Sequence, residues 1–312
     1  MKEIRTITLN PCFDLHYSVP DFAFEKENLA TGVLVEAGGK GVNTSRALTV
    51  CGVENLAYLV VGDENGEAFL AEMKKEGIPF RFFTVKGRIR ENMTIHSGSG
   101  KETRISINNF RVTGEALAEL EQVILAEHLP NLLISFSGRI PQGITKEEIK
   151  RMLKKLIDGG AKLVIDSASF TPDDLKELHP WFVKPNEQEI DGFLGRTPKT
   201  LREAAADAKE LVKSGVSETV MISLGGEGAA FADRENAYLL QVPKLEHPLS
   251  TIGAGDSTIA GLLAGTAKGL SKEETLRLAV AYGTAACMTA GTLPPRPEDV
   301  EEVFDKTRAE RV

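Results

Sequence analysis

Short β-rich runs alternate with longer helical patterns along this 312-residue chain, and this alternation most constrains its fold. The predicted strands are residues 4–9, 56–61, 132–137, 162–166 and 219–223, and predicted helices include residues 43–51, 65–76, 201–213 and 256–268. Capping boxes at Thr145-x-x-Glu148 and Ser271-x-x-Glu274 predict the start of two more helices. Strands that alternate with long helices form right-handed βαβ units, so we expect an α/β fold whose mostly parallel sheet is covered on both faces.

Two segments, residues 13–36 and about 86–110, break this alternation with polar and apolar residues in turn and no helical pattern. NMTIHS (92–97) and TRISIN (103–108), joined through GSGKE, are typical of a β-hairpin. We therefore predict one domain spanning residues 1–312, with these segments forming a small projecting β-sheet. Such a sheet could close over a site as a lid, or pair with a second copy of the chain.

The composition excludes several classes of function. A formal net charge of -8 argues against nucleic acid or an anionic membrane as a partner, so an anionic substrate would need local cations. Cys12, Cys51 and Cys287 are scattered and form no CxxC pair, which argues against a disulfide framework and a thiolate zinc site. Because neither a secretory signal nor a membrane-length apolar run is present, we expect a cytoplasmic protein.

The first glycine-rich segment is GGKGVN, which precedes a predicted helix. Gly38 and Gly39 would let a backbone approach a ligand closely, and the helix N-terminus would present free N–H groups to an anion. Lys40 adds a positive charge, and Asn43 adds a hydrogen-bond donor and acceptor. The alternative is a flexible turn that carries a solvated lysine.

The second glycine-rich segment is STIGAGDS (250–257). If Gly253, Ala254 and Gly255 form a loop that enters a helix, their N–H groups converge where charge builds on a transferring phosphoryl group. Asp256 would then sit at the helix N-cap, where the helix dipole favours its ionised form. It could be a catalytic base, or it could only cap the helix.

Two further polar turns follow predicted strands, SLGGEG (223–228) and KPNEQE (184–189). Ligands bind at the carboxyl ends of parallel strands, although SLGGEG would equally suit a plain hairpin. Asn186 and Glu189 are spaced to share a helix face and hold a water-coordinated Mg²⁺, but capping explains most such pairs.

The ordered set of these motifs resembles the PfkB carbohydrate kinases of the ribokinase-like superfamily, over nearly the whole chain. The set is Asn10-x-x-x-Asp14, GGKGVN, Arg90-Glu-Asn92, SGRIP (137–141), KPNEQE, SLGGEG and STIGAGDS. The opening TLNPCFD and the lysine of GGKG most resemble the phosphosugar branch, the 1-phosphofructokinases and tagatose-6-phosphate kinases. The resemblance implies a three-layer α/β/α sandwich with a β-lid that often forms a dimer contact. It also implies transfer of the ATP γ-phosphoryl group to a sugar hydroxyl, with Mg²⁺.

Carried over to this sequence, the resemblance makes Asp256 the general base and Gly253, Ala254 and Gly255 the backbone anion hole. The implied sugar site consists of Asp14, Gly38, Gly39, Lys40, Asn43, Arg90 and Asn92. The implied nucleotide site consists of Lys184, Asn186, Ser223, Gly225, Gly226, Gly228 and Thr251. Glu189 and Asn186 are implied to hold Mg²⁺, through water.

The sequence departs from the family pattern in three places. Arg139 stands where phosphosugar kinases usually have the second serine of SGSLP. Its guanidinium could bind the substrate phosphate, fill the space of the serine and change the substrate, or turn outward to solvent. Asp166-Ser-Ala-Ser169 replaces the usual DSSG, and INNFR (107–111) lacks a nearby glycine.

We therefore expect an ATP-dependent kinase that converts fructose 1-phosphate to fructose 1,6-bisphosphate, and a homodimer formed through the small sheet. The alternatives are a tagatose-6-phosphate kinase, a kinase of an unphosphorylated sugar or nucleoside, and a non-catalytic sugar-phosphate sensor on the same fold.

Overall fold

The computed structural model describes residues 2–98 and 102–312 of the chain. Their strands are β1 (Glu3–Thr8), β2 (Cys12–Val19), β3 (Gly32–Gly38), β4 (Asn55–Gly62), β5 (Phe80–Val85), β6 (Arg90–Ser97), β7 (Glu102–Ile105), β8 (Leu132–Ser137), β9 (Lys162–Asp166), β10 (Phe182–Val183), β11 (Thr219–Ser223), β12 (Ala229–Ala232), β13 (Ala237–Gln241) and β14 (Arg308–Arg311). Their α-helices are α1 (Lys40–Val50), α2 (Gly66–Lys75), α3 (Gly114–Leu125), α4 (Lys146–Asp158), α5 (Pro172–Leu178), α6 (Glu187–Leu194), α7 (Leu201–Lys213), α8 (Ala254–Lys268), α9 (Lys272–Ala286) and α10 (Pro297–Lys306).

Local sequence signals predicted many of these boundaries. The observed strands β8, β9 and β11 and helix α7 have the predicted limits. The capping boxes of Thr145 and Ser271 are both formed, at the starts of α4 and α9. Helix α1 begins three residues before the predicted start, because Gly39 adopts a φ of 119° and serves as its N-cap.

The large sheet has the order β14-β13-β12-β11-β10-β9-β8-β1-β4-β5. The strands from β5 to β11 in this order run parallel, and β12, β13 and β14 continue the sheet in antiparallel pairs. The mostly parallel sheet predicted from the sequence is therefore confirmed. Because parallel strands end at a common edge, the turns after β1, β8, β9, β10 and β11 lie side by side there.

Helices cover both faces of the large sheet, as the sequence predicted. Along β8, Ile134 and Phe136 pack into the core beneath α2–α7, whereas Leu133 packs into the second core beneath α1, α8, α9 and α10. Helices α8 and α9 approach so closely at Gly261 that an added Cβ would lie 2.6 Å from the carbonyl oxygen of Leu278. This close packing explains the small residues in both helices. Among the described residues, no helix is long and apolar enough to cross a membrane.

The small sheet has the order β3-β2-β6-β7, and β6 and β7 form the predicted antiparallel hairpin. Most of its predicted connection GSGKE, residues 99–101, lies outside the described residues. Since side chains alternate between the faces of a strand, the register separates a polar from an apolar face. The polar face contains Asp14, His16, Glu36, Asn92 and Arg104, and the apolar face contains Leu15, Tyr17, Val33, Val35, Met93, Ile95 and Ile105.

Candidate active site

Asp256 lies in the first turn of α8, buried and 6% exposed. The N-cap of this helix is Gly253, whose φ of 79° is left-handed, and Asp256 is the third residue of the helix. The prediction that Asp256 caps the helix was therefore wrong. Its carboxylate instead turns across to α1, where the Nδ2 of Asn43 donates to its Oδ2 at 2.9 Å.

The start of α8 has the features of an anion site. Within residues 2–98 and 102–312, the backbone N–H groups of Gly255 and Asp256 have no acceptor, as is usual in the first turn of a helix. The buried Lys184 lies beside them, since a Cβ on Gly255 would be 3.1 Å from its Nζ. Lys184 makes no side-chain hydrogen bond or ion pair within the described part of the chain. A buried, unpaired ammonium and a helix N-terminus thus meet at one point.

Lys40 does not project freely into the site. Its Nζ lies 3.0 Å from each carboxylate oxygen of Asp166, at the carboxyl end of β9. Burial opposes the charge on Lys40, but the charges of Asp166 and Asp256 outweigh it and raise its pKa. Burial likewise opposes ionisation of Asp166, but Lys40 and Lys184 hold its pKa below the ordinary value. The pair is therefore ionised at neutral pH.

Asp256 differs electrostatically from Asp166. Burial, reinforced by the negative charge of Asp166, raises the pKa of Asp256 to about 6, although Lys40, Asn43 and Lys184 act in the opposite direction. A carboxylate with a pKa close to neutrality can accept a proton more effectively than an ordinary aspartate, while remaining mostly ionised at pH 7. Asp166 is thus a permanently charged partner of Lys40, whereas the carboxylate of Asp256 is able to exchange a proton.

Asp14 lies on the polar face of the small sheet, next to GGKGVN. Its Oδ1 accepts hydrogen bonds from Asn92 Nδ2 at 2.9 Å and from Arg104 Nη2 at 3.2 Å. A Cβ on Gly38 would lie 2.1 Å from Oδ2 of Asp14, so only glycine leaves room for this carboxylate. Burial and the charge of Asp14 raise the pKa of the neighbouring Cys12 thiol to about 12, which keeps it neutral.

Arg90 is held by the protein around it. Its guanidinium donates to Asn10 Oδ1 at 2.9 Å, to Asn92 Oδ1 at 3.0 Å and to the carbonyl oxygen of Ile107 at 3.2 Å. Arg139, by contrast, is exposed and has no hydrogen-bond or ion-pair partner among the described residues. It follows Gly138, whose N–H donates to the carbonyl oxygen of Asp166 at 3.0 Å. Arg139 therefore lies at the strand edge that carries Asp166, and it does not fill a buried space.

All of the predicted nucleotide residues except Thr251 lie in two adjacent turns. Asn186 caps α6 and forms a capping box with Glu189, so both side chains bond within the helix end. Ser223 is bridged to Asn186, because the N–H of Ser223 donates to the carbonyl oxygen of Pro185 at 3.2 Å. Gly225 and Gly226 are exposed and Gly228 is buried in the turn between β11 and the antiparallel β12, which is a hairpin connection. Thr251 is exposed before α8.

Three residues close to the predicted site were not predicted to belong to it. Asp166 could have been found from its position at the carboxyl end of a predicted parallel strand. Arg104, the partner of Asp14, carries no comparable signal, because it stands in an ordinary hairpin strand. Arg46 has no signal at all, since an arginine within a helix is usually on the surface.

The family of the chain is identified by its similarity to known proteins. The sequence matches the family described as "pfkB family carbohydrate kinase" over residues 8–299. A 1-phosphofructokinase of Haemophilus influenzae is 30% identical over 286 residues, covering 92% of this chain and 91% of that protein. ATP-dependent 6-phosphofructokinase isozyme 2 of Escherichia coli is 28% identical over 309 residues, covering 97% of this chain and 98% of that protein. The crystal structure of phosphofructokinase-2 from Escherichia coli in complex with fructose-6-phosphate has a TM-score of 0.90, at 26% identity and 98% and 99% coverage.

Proposed function

The chain belongs to the pfkB family of carbohydrate kinases and is an ATP-dependent kinase, and from this premise we propose that its acceptor substrate is fructose 1-phosphate. The product would be fructose 1,6-bisphosphate. The observation that carries the chemistry is the buried Asp256 carboxylate beside the N-terminus of α8, with Asn43, Lys40 and Lys184 around it. The similarity to a 1-phosphofructokinase supports the choice of substrate.

In the proposed reaction Asp256 is the general base. As the acceptor hydroxyl oxygen attacks the γ-phosphorus, its proton moves to the Asp256 carboxylate, the new P–O bond forms, and the bond to the ADP oxygen breaks. Asn43 holds the carboxylate toward the acceptor from α1. Because the protein does little covalent work in such a reaction, positioning and charge stabilisation supply most of the rate.

The transferred phosphoryl group would be met by the free N–H groups of Gly255 and Asp256 and by the ammonium of Lys184. Mg²⁺, when bound, would neutralise charge on the phosphates of ATP. Among the described residues no three acidic, His or Cys side chains converge on a metal position. Glu189 uses Oε2 in its capping box, which leaves Oε1 to accept from a coordinated water. These residues therefore fit a Mg²⁺ held mainly by ATP phosphates and water, with Glu189 and Asn186 nearby.

The sugar phosphate would lie between GGKGVN and the polar face of the small sheet. We assign its hydroxyl groups to Asp14, which already accepts two hydrogen bonds at one oxygen and keeps Oδ2 beside Gly38. Arg90 and Lys40 would supply positive charge, and so would Arg139, which has no ion-pair partner among the described residues. Such a cluster favours phosphorylated over free sugars, because a free sugar needs no cation.

An ADP-release screen tests this substrate directly, with fructose 1-phosphate, fructose 6-phosphate, tagatose 6-phosphate, fructose and ribose compared at equal concentration. The highest kcat/KM should be for fructose 1-phosphate. Preference for fructose 6-phosphate would instead favour a second candidate function, that of a 6-phosphofructokinase, which the similarity to the Escherichia coli 6-phosphofructokinase isozyme supports. Activity on free sugars alone would contradict a phosphosugar substrate, and no activity on any compound would support the sensor.

We also propose that two copies associate through the apolar face of the small sheet. Val33, Val35 and Ile105 on this face are 56%, 40% and 46% exposed, although all are large and apolar. An exposed apolar sheet face of this kind is stabilised when an identical face covers it about a two-fold axis. We further propose that the chain forms one kinase domain. We also propose that it is cytoplasmic, because its cysteines are few and scattered.

A further inference from the structure

Arg46 lies in the middle of α1 and is 2% exposed, which is unusual for an arginine. Its guanidinium donates to the carboxylate of Glu76, to the carbonyl oxygen of Ala37, and, from Nη1, to Oδ1 of Asn43 at 2.8 Å. Asn43 stands three residues earlier on the same helix, so the two side chains are neighbours on one face. The other end of the Asn43 amide faces Asp256.

The chemistry of arginine decides how this amide is oriented. A guanidinium only donates hydrogen bonds, so the Asn43 atom that faces Arg46 must be the acceptor Oδ1. The donor Nδ2 is then fixed on the side of Asp256, where it lies 2.9 Å from Oδ2. A free asparagine amide can turn over and present either atom, but Asn43 beside Arg46 cannot.

We propose that Arg46 is a positioning residue for the catalytic base: by bonding Oδ1 of Asn43, it makes Asn43 a permanent donor to Asp256 and so stabilises the ionised carboxylate. This inference rests on the assignment of Asp256 as the base, but not on which sugar is phosphorylated. Among the described residues, Arg46 itself makes no hydrogen bond or ion pair with Asp256.

The other groups that act on Asp256 are charged. Lys40 on α1 and Lys184 after β10 favour its ionised form, and Asp166 at the end of β9 opposes it. Glu189 on α6 favours the charged form of Lys40. Among these groups, Asn43 is the neutral one, and its effect depends on which end of the amide it presents. An inverted Asn43 would place Oδ1 against the carboxylate oxygen and favour the protonated acid.

The test compares Arg46→Met, the double variant Arg46→Met/Glu76→Met, and Arg46→Lys with the wild type. The double variant replaces a partly buried ion pair with apolar side chains, a change that such sites tolerate, and therefore remains informative if Arg46→Met does not fold. Arg46→Lys keeps a group that only donates. Glu76→Gln is the matched control, because it removes the negative charge beside Arg46 and leaves the bond from Arg46 to Asn43 in place.

Two readouts are measured on each folded variant. The first is the acid limb of kcat/KM on the sugar phosphate that the wild type prefers. The second is the titration of the Asp256 carboxyl carbon by NMR of protein labelled with ¹³C-carboxyl aspartate, assigned by the signal missing from Asp256→Asn. The NMR titration needs no turnover, so it tests the role of Arg46 even if the proposed substrate proves wrong.

Loss of Arg46 should move both the acid limb and the NMR titration upward by about one pH unit, as expected for a weakened hydrogen bond to a charged group. In Arg46→Lys the upward shift of the acid limb and of the NMR titration should be smaller than in Arg46→Met. In Glu76→Gln both midpoints should stay at those of the wild type. Unchanged Asp256 titration in Arg46→Met and in the double variant would overturn the proposal, as would an equal change in Glu76→Gln. A lower melting temperature without a change in titration would mean that Arg46 is only structural.

Discussion

The side-chain amide of Asn43 donates a hydrogen bond to Oδ2 of Asp256 at 2.9 Å, across 213 positions of sequence. This contact joins the two glycine-rich segments, because Asn43 belongs to GGKGVN and Asp256 follows Gly253-Ala-Gly255. A second bond, from Thr44 Oγ1 to the carbonyl oxygen of Asp256 at 3.3 Å, holds the same helices together. The loop proposed to bind the sugar thus also fixes the proposed base.

Activity should fall on the acid side with a midpoint near pH 6. Burial raises the pKa of Asp256 to about 6, and only the ionised carboxylate can accept the proton of the acceptor hydroxyl. Both kcat and kcat/KM should therefore decrease about tenfold per pH unit below the midpoint and level off above it. The substrate phosphate titrates in a similar range, so the limb must persist in kcat at saturating sugar phosphate. A kcat that stays constant through pH 6 and below would contradict this assignment.

Gly38→Ala should weaken sugar binding selectively. The new Cβ would lie 2.1 Å from Oδ2 of Asp14, so the carboxylate must move from its present position. We expect KM for the sugar phosphate to rise roughly 10- to 100-fold, with KM for ATP unchanged, because a displacement of about 1 Å has effects of this size. Gly32→Ala on the same strand is the control, since its Cβ would meet nothing within 4 Å. Equal KM values for the two variants would count against the role of Asp14.

Arg139→Ser tests whether the Arg139 guanidinium binds the substrate phosphate or only faces solvent. Arg139 is exposed and unpaired among residues 2–98 and 102–312, so its replacement should change the free energy of unfolding by less than about 0.5 kcal/mol. If its guanidinium binds the substrate phosphate, KM for fructose 1-phosphate should rise about 10-fold or more while kcat and KM for ATP stay the same. Steady-state kinetics and a thermal melt measure these quantities. An unchanged KM would mean that Arg139 only faces solvent.

Val35→Lys should convert a dimer into a monomer. Val35 lies on the apolar face of the small sheet, where it pairs with Leu15, and a buried lysine at the centre of an interface would be left unpaired. Sedimentation of the wild type should give twice the mass of the chain, and sedimentation of Val35→Lys the mass of one chain. Leu34→Lys is the control, because the adjacent Leu34 is also exposed but lies on the opposite face. A wild type that sediments as a monomer would refute association through this face.

Those parts of the fold that local chemistry determines could be predicted from the sequence. The run LLISFS has the length and apolar content of a buried parallel strand, and β8 spans those six residues. Thr145 and Ser271 begin helices because each side chain bonds a backbone N–H only three residues away. The family resemblance, which rests on seven ordered motifs, correctly identified the family and its fold.

The parts that could not be predicted depend on contacts between distant residues. The sequence does not show that Lys40 pairs with Asp166, since 126 positions separate them. The cap of α8 was misassigned because a left-handed Gly253 can cap a helix without a side chain, whereas Asp256 is the residue type that usually does so. Arg46 was missed for a related reason: its partner Glu76 lies 30 positions away on the end of another helix.

The rate of phosphoryl transfer by Asp256→Asn shows whether the Asp256 carboxylate is the general base. The preferred sugar phosphate and ATP are supplied at saturation, ADP release is measured, and the dissociation constant of the sugar phosphate is determined by calorimetry. Asp207→Asn is the control, since Asp207 is also buried but pairs with Arg196 away from the proposed site residues. Asp256→Asn should lower kcat by about 10²–10⁴-fold with little change in sugar affinity. Turnover by Asp256→Asn close to that of the wild type and Asp207→Asn would contradict it.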